Sequence, residues 1–183
     1  MHSIFEEEKR SLALLPSYLA MIEASVDSKM FRQLFVTEYD GSHTDVIGNG
    51  DLACAFYVSA LLHIFNLVKT GVHTTVDKTE WDMTVLSQWY LLPSNTVSVM
   101  RHHLSQMPRG SVIIWGKKMC TDGLQHRHIG FYMGEKEAIS NRPDQGSPQR
   151  HHYTFGENDD GSPVRPIEKV YFHPLLEALP TVE

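Results

Sequence analysis

The chain has 183 residues, of which 42% are hydrophobic, and its 22 acidic residues exceed its 16 Lys and Arg residues, which gives a formal charge of −6. This length predicts one globular domain, and surface scaling lets such a chain bury about 70% of its surface on folding. The only two cysteines are Cys54 and Cys120, which excludes a disulfide framework and a four-cysteine zinc module. The acidic balance argues against nucleic acid or an anionic membrane as the main partner.

The sequence carries no recognisable targeting signal. Three glutamates at residues 6–8 stand where a signal peptide would have basic residues followed by an apolar run. The longest apolar stretch, residues 52–68, is shorter than the ~20 residues that span a bilayer, and polar residues interrupt it. We therefore expect a core helix over this stretch. The expected location is cytoplasmic by default, or outside the cell through a non-classical export route.

Helical patterns dominate the first 110 residues. Apolar residues from 14 to 22 predict a short helix that breaks or restarts at Pro16. A second helix is predicted over 77–90 and a third over 94–107. We expect residues 1–47 to form a helical N-terminal extension of a single domain that comprises residues 1–183. The face of the second helix that we expect to be apolar carries Trp81, Val85 and Trp89.

The hydrophobic period changes to two after residue 110. Short segments rich in β-branched and aromatic residues predict the strands of a small antiparallel sheet. Between two of these segments, Gly134 to Glu137 predicts a tight two-residue hairpin turn. The fold class is therefore expected to be α+β, with N-terminal helices packed on the sheet. The predicted strands cover residues 111–115, 128–133, 137–141, 151–155 and 167–173.

A turn-forming cluster at residues 48–51 runs directly into the apolar helical segment that contains Cys54. If Asp51 caps this helix, Cys54 lies in the first turn, with its thiol turned toward the sheet. Unpaired N–H groups at a helix start stabilise the thiolate, which is the nucleophilic form of cysteine. The alternative is a buried cysteine that packs as a small hydrophobe, and position alone favours that alternative.

A base for this thiol is found at the start of a predicted strand. Alternation along residues 128–133 puts His128 and Gly130 on one face of the sheet. Because Gly130 has no side chain, we expect it to let the cysteine helix approach His128 closely. Cys54 and His128 are therefore predicted to meet in a groove.

A third polar group is expected to orient the imidazole of His128. If Gly134 pairs with Glu137 across a two-residue turn, Asn141 lies on the His128 face, where its amide oxygen can accept the imidazole N–H. A loop with an odd number of residues reverses the parity and puts Ser140 in that place. We prefer Asn141, and Ser140 stays open as the alternative.

The order and spacing of three segments resemble the NlpC-type cell-wall peptidases, a family of papain-like cysteine hydrolases related to CHAP amidases. The resemblance covers roughly residues 48–141, about half of the chain, and implies a papain-like fold. It also implies that Cys54 is the nucleophile, His128 the base and Asn141 the orienting residue. The family's usual Asp-Cys-Ser-Gly is replaced here by Ala-Cys-Ala-Phe at residues 53–56. The three segments read GDLACAFYVS, PRGSVIIW and HIGFYMG.

The resemblance implies hydrolysis of an amide bond in a peptide of bacterial cell wall, with no cofactor. The expected partner is a peptide or peptidoglycan-like substrate, and neither nucleic acid nor a membrane is expected. Two alternatives stay open. One is a non-catalytic binding module on the same fold, in which Cys54 is only a core residue. The other is a zinc site with ligands drawn from Cys120, His126, His128, His151 and His152, although this spacing fits no established zinc motif well.

Overall fold

The computed structural model describes residues 11–93, 107–119 and 123–177, and these residues form an α+β architecture, which confirms the predicted class. Among them, none of the helices combines the length and the apolar character that a membrane span needs. The helices are α1 (Leu14–Ala24), α2 (Cys54–Ile64) and α3 (Val76–Trp81). The strands are β1 (Phe35–Thr37), β2 (His43–Asp45), β3 (Tyr90–Leu91), β4 (Val112–Met119), β5 (Gln125–Gly134), β6 (Glu137–Arg142), β7 (Ser147–His152) and β8 (Ile167–Phe172).

Six of these strands form the main sheet, in the order β3-β8-β4-β5-β6-β7, and every neighbouring pair is antiparallel. Four of the predicted strands correspond to β4, β5, β6 and β8. The remaining one, β7, begins at Ser147, four residues earlier than the prediction, and includes Pro148. A proline lacks the N–H that a central strand needs, but β7 lies at the edge of the sheet, where that N–H is not required.

Apolar side chains cover both faces of the sheet. The helix face packs against α1 and α2, and an edge-to-face contact of 5.5 Å between the rings of Tyr57 and Phe131 is part of this core. The far face carries a second core, in which Trp115 donates its indole N–H to the carbonyl of Tyr153 at 2.6 Å. Strand residues of the helix face include Val112, Ile114, Ile129, Phe131 and Ile139, and those of the far face include Ile113, Trp115, Tyr132 and Ala138.

The prediction that residues 1–47 form a helical extension is wrong, because two strands, β1 and β2, lie within this range. Helix α1 runs through Pro16 without a break, because Pro16 lies in the first turn, where a backbone N–H has no helical acceptor. Residues 35–45 form a hairpin of β1 and β2, which meets in a turn where Gly41 has a φ of 83°. The backbone N–H of Ser42 donates to the carboxylate of Asp40 in this turn.

The second helix is shorter than the predicted span of 77–90, and the side that it buries differs from the predicted one. Helix α3 ends at Trp81 and continues as a wider π-type turn over Asp82–Leu86, so that Trp81 is 51% exposed. Asp82 of this segment is buried, and its carboxylate accepts hydrogen bonds from the backbone N–H groups of Lys69 and Thr70. The predicted apolar face is therefore wrong for Trp81 and Val85. The third predicted helix, over 94–107, lies outside the described residues except for residue 107.

The β5–β6 hairpin has the two-residue turn that the sequence predicts. Gly134 pairs with Glu137, and the two residues between them, Glu135 and Lys136, have positive φ values of 50° and 65°. Two consecutive positive φ values are typical of the hairpin turn that matches the right-handed twist of strands.

A β-bulge beside this turn reverses the predicted parity. Tyr132 pairs with Ala138 while Gly134 pairs with Glu137, so Met133 is an extra residue in β5. The bulge moves every earlier residue of β5 by one position against β6. Ser140, and not Asn141, therefore lies on the face of His128, and the predicted place of Asn141 is wrong.

The new register puts Ser140 directly beside Gly130. A Cβ at Gly130 would lie 2.6 Å from the Cβ of Ser140 and 2.7 Å from the carbonyl oxygen of Ile139. We expect Gly130→Ala to lower the free energy of unfolding by about 1–3 kcal/mol, because the strands must separate to admit the methyl group. Unfolding in urea measures this change.

Gly116→Ala is the matched control, since Gly116 also lies in a strand and the nearest atom to a Cβ there is 3.6 Å away. We expect it to change stability by less than about 0.5 kcal/mol. Equal losses for the two variants would contradict the tight packing at Gly130.

Candidate active site

Cys54 is the first residue of α2, which confirms its predicted place in the first helical turn. The N-cap is Ala53, and no side chain caps the helix, so the expected capping by Asp51 is wrong. Cys54 is half-buried, packs against the core of the helix face and lines an open cleft. As the first residue of α2, Cys54 lies at the positive end of the helix dipole.

The loop before α2 is held against the end of the sheet. Nδ2 of Asn141 donates to the carbonyl oxygen of Gly50 at 2.7 Å. Gly50 lies so close to the β6–β7 turn that a Cβ would be 2.9 Å from the Cα of Gly146. The carboxylate of Asp45 accepts the backbone N–H of Asn49 at 2.7 Å. Asn141 therefore contacts the cysteine loop on the helix face and makes no hydrogen bond to His128.

His128 lies on the far face, in a pocket of aromatic rings. Its cross-strand neighbour is Trp115, at a ring distance of 5.4 Å, and the ring of Phe155 is 5.6 Å away. Nε2 of His128 is 2.8 Å from Oγ of Ser140. Among the described residues, Ser140 is the hydrogen-bond partner of the His128 ring, and it engages Nε2 rather than Nδ1.

Ser140 also connects His128 to a second histidine. Its Oγ lies 2.7 Å from Nε2 of His151, and the imidazole of His151 stacks on Phe155 at a centroid distance of 4.1 Å. We expected His151 as an alternative zinc ligand and not as a partner of His128. Its place in this chain depends on the pairing of β7 with β6, where His151 faces Ala138, and the pattern of a strand predicted to start at 151 could not reveal it.

Burial keeps both histidines neutral at pH 7. Desolvation, together with the positive charge of Arg165, lowers the pKa of His128 well below its usual value of 6.5. Desolvation lowers the pKa of His151 to about 4. A neutral imidazole can accept a proton, which is the first requirement of a general base, although a lower pKa makes the base weaker.

The structure does not bring Cys54 and His128 into contact. Cys54 packs on the helix face, whereas the ring and hydrogen-bond contacts of His128 lie on the far face, so the two side chains do not meet as predicted. The space beside Gly130, which we expected to admit α2, is occupied by Ser140 and Trp115. Both Cys54 and His128 nevertheless line the same open cleft.

Glu80 holds one wall of this cleft, the helix α3, against the sheet. Its carboxylate accepts hydrogen bonds from Arg127 at 2.7 Å, from Lys169 at 2.6 Å and from Tyr171 at 2.6 Å. Burial by itself would raise the pKa of Glu80, but these donors hold it below its usual value. We assign Glu80 to anchoring α3, because a carboxylate saturated with donors is a poor acid or base.

The zinc alternative gains no support from the residues that the structure describes. Among them, no group of three or more His, Cys, Asp or Glu side chains is arranged to hold a metal ion. Nε2 of His128 and Nε2 of His151 already bind the hydroxyl of Ser140. Cys120, the cysteine of that alternative, lies outside the described residues.

Comparison of the chain with protein-family models, with curated proteins and with solved structures gave no match.

The buried histidines predict a loss of stability in mild acid. Below pH 6.5 the unfolded chain binds protons on His128 and His151, whereas the folded protein does not until the pH falls to the lowered pKa values. The unfolded state then holds more protons, so the free energy of unfolding decreases as the pH falls. For His151 the decrease extends from pH 6.5 to about 4.

We expect His151→Gln to flatten this part of the profile, because glutamine does not titrate. Urea midpoints measured across the pH range for the wild type and the variant test this. Parallel profiles would show that His151 is not kept neutral by the fold.

Proposed function

We propose that the protein is a cysteine hydrolase that cleaves an amide bond, with Cys54 as the nucleophile and His128 as the base. One observation carries the proposal. His128 uses Nε2 to bind Ser140 and keeps Nδ1 available, and it lines the same cleft as a cysteine that begins a helix. A cysteine nucleophile needs this combination of a helix start and a base that a third group orients.

The proposed reaction assigns one step to each group. Nδ1 of His128 takes the thiol proton, and the thiolate of Cys54 adds to the substrate carbonyl. Backbone N–H groups of the first turn of α2, including that of Cys54, stabilise the oxyanion. The protonated His128 then gives its proton to the leaving amine, and water hydrolyses the thioester. Ser140 accepts the Nε2 hydrogen of His128 and keeps the ring oriented throughout.

We further propose a papain-like arrangement of the NlpC type and a peptide of bacterial cell wall as the substrate. Three features support the arrangement: α2 packs on an antiparallel sheet, Cys54 begins α2, and His128 lies near the start of β5. The substrate class rests on the sequence resemblance alone.

The proposal requires the thiol and the imidazole to meet in the cleft. No hydrogen bond joins them in the structure, and they occupy opposite faces of the sheet. Catalytic contacts are often long without substrate and shorten only in the complex with substrate.

Treatment with dibromoacetone, a short reagent that bridges a thiol to an imidazole, followed by peptide mapping, measures whether Cys54 and His128 approach each other. A bridge between the two residues supports the pair, whereas alkylation of Cys54 without a bridge would reject it.

The separation of Cys54 from His128 favours a second candidate, a non-catalytic binding module on the same fold. In that case the cleft binds a ligand, and Cys54 contributes only to packing on the helix face. The two candidates differ in the reactivity of the thiol. A catalytic thiolate reacts with iodoacetamide in mild acid much faster than a simple thiol, and a packing cysteine does not.

We expect Cys54→Ala to abolish turnover of a peptide substrate and to leave the unfolding midpoint nearly unchanged, because the thiol is only half-buried. Cys120→Ala is the matched control, since it removes the only other cysteine. Turnover is measured for both variants, and the rate of iodoacetamide labelling of Cys54 in mild acid is measured in Cys120→Ala, where it is the only thiol. Turnover that persists in Cys54→Ala would reject Cys54 as the nucleophile. Labelling of Cys54 at the rate of a simple thiol would also reject it.

Ser140→Ala removes the group that orients the imidazole, so we expect kcat to fall by about tenfold or more with little change in KM. Ser111→Ala is the control, because Ser111 is a fully buried serine whose hydroxyl donates to the carbonyl of Pro108 and which does not line the cleft. Steady-state kinetics of both variants measures the difference. An unchanged kcat in Ser140→Ala would remove Ser140 from the mechanism.

A further inference from the structure

The hydrogen-bonded chain from His128 through Ser140 ends on a histidine that the proposed reaction does not use. We infer that His151 is a positioning residue that acts through the hydroxyl of Ser140 and holds His128 in the tautomer with its hydrogen on Nε2. The orientation can be measured by itself, and its catalytic consequence rests on the proposed function.

The direction of the chain starts from the backbone of β7. Nδ1 of His151 lies 2.8 Å from the carbonyl oxygen of His152. A carbonyl oxygen only accepts, so Nδ1 of His151 carries the hydrogen. A neutral imidazole has one N–H, and Nε2 of His151 is therefore an acceptor.

The hydroxyl of Ser140 passes this direction on to His128. Its Oγ is 2.7 Å from the accepting Nε2 of His151, so its single hydrogen points to His151. Toward His128, at 2.8 Å, the same oxygen can then only accept. Nε2 of His128 must donate, and Nδ1 of the neutral ring keeps its lone pair.

The packing around the chain protects this arrangement from water. Ser140 is fully buried, and the ring of Trp115 lies 5.4 Å from that of His128 and 5.8 Å from that of His151. Burial, with the nearby cations Arg142 and Arg165, opposes protonation of His128. Two neutral imidazoles and one hydroxyl therefore form a chain with only one consistent order of hydrogens.

The order matters for the proposed reaction because only a bare Nδ1 can take the proton of Cys54. If the hydroxyl of Ser140 donated to His128 instead, the hydrogen of a neutral His128 would move to Nδ1. The imidazole would then present an N–H where a lone pair is needed. The wrong tautomer of a catalytic histidine is known to depress turnover strongly in hydrolases of the serine type.

The test is a long-range proton–nitrogen NMR correlation spectrum of the ¹⁵N-labelled protein at neutral pH, which identifies the protonated nitrogen of each histidine. In the wild type we expect the hydrogen of His128 on Nε2 and that of His151 on Nδ1. His151→Phe keeps a ring stacked on Phe155 but removes the acceptor, so we expect the hydrogen of His128 to move to Nδ1. We also expect kcat to fall at least about tenfold with KM unchanged.

His151→Gln is the rescue variant, because its side-chain carbonyl can accept the hydrogen of Ser140, and we expect the wild-type tautomer and most of the turnover. A wild type with the hydrogen of His128 on Nδ1, or a His151→Phe variant whose His128 tautomer is unchanged, overturns the inference. If His151→Phe does not fold, Ser140→Ala breaks the chain in the middle and should give His128 a mixture of tautomers while His151 stays unchanged. A single unchanged tautomer of His128 in Ser140→Ala would also overturn it.

The spectrum separates this inference from the proposed function. The expected tautomers together with an unreactive Cys54 would retain the positioning role of His151 and reject the hydrolase. A reactive Cys54 with tautomers that ignore His151 would do the reverse.

Discussion

The pairing of β5 with β6 is the constraint on which the candidate site depends. Met133 is an extra residue on one strand, and it decides that Ser140 rather than Asn141 shares the far face with His128. The close approach at Gly130 then locks this register, because slipping by one residue would move every side chain of β6 to the other face. The bulge therefore separates two functions of neighbouring residues. Ser140 contacts the imidazole, and Asn141 contacts the loop before α2.

Much of this organisation can be predicted from local patterns. The helix start at Cys54, the two-residue turn after Gly134 and the strand at His128 follow from turn chemistry and from hydrophobic period, which are properties of neighbouring residues. The bulge at Met133 could not be predicted, because both registers satisfy the alternation of residues 137–142 and local sequence patterns do not distinguish them. The exposure of Trp81 escaped prediction for a related reason. The burial of Asp82 is determined by distant backbone N–H groups.

The cleft places opposite demands on its two central residues. Cys54 begins a helix, where the positive end of the helix dipole favours a thiolate, and its half-exposed position gives a ligand access. His128 is 6% exposed, and that burial keeps it neutral but also weakens it as a base. Proton transfer to a weak base is still productive when the donor and the acceptor have comparable proton affinities. The position of the sheet between the two residues is thus a stronger constraint on catalysis than their acid–base properties.

A serine in the orienting position has a consequence that a carboxylate or an amide oxygen would not have. A carboxylate only accepts, so it fixes the tautomer of the histidine beside it without help, whereas a hydroxyl can donate its hydrogen to either of two imidazoles. The Ser140 hydroxyl lies 2.8 Å from one imidazole and 2.7 Å from the other, so distance does not choose between them. The choice comes from the carbonyl of His152, which can only accept and which belongs to the backbone of the edge strand. The backbone carbonyl of His152 therefore determines the tautomer of His128 through the side chains of His151 and Ser140. No substitution at Ser140 or His128 removes this carbonyl.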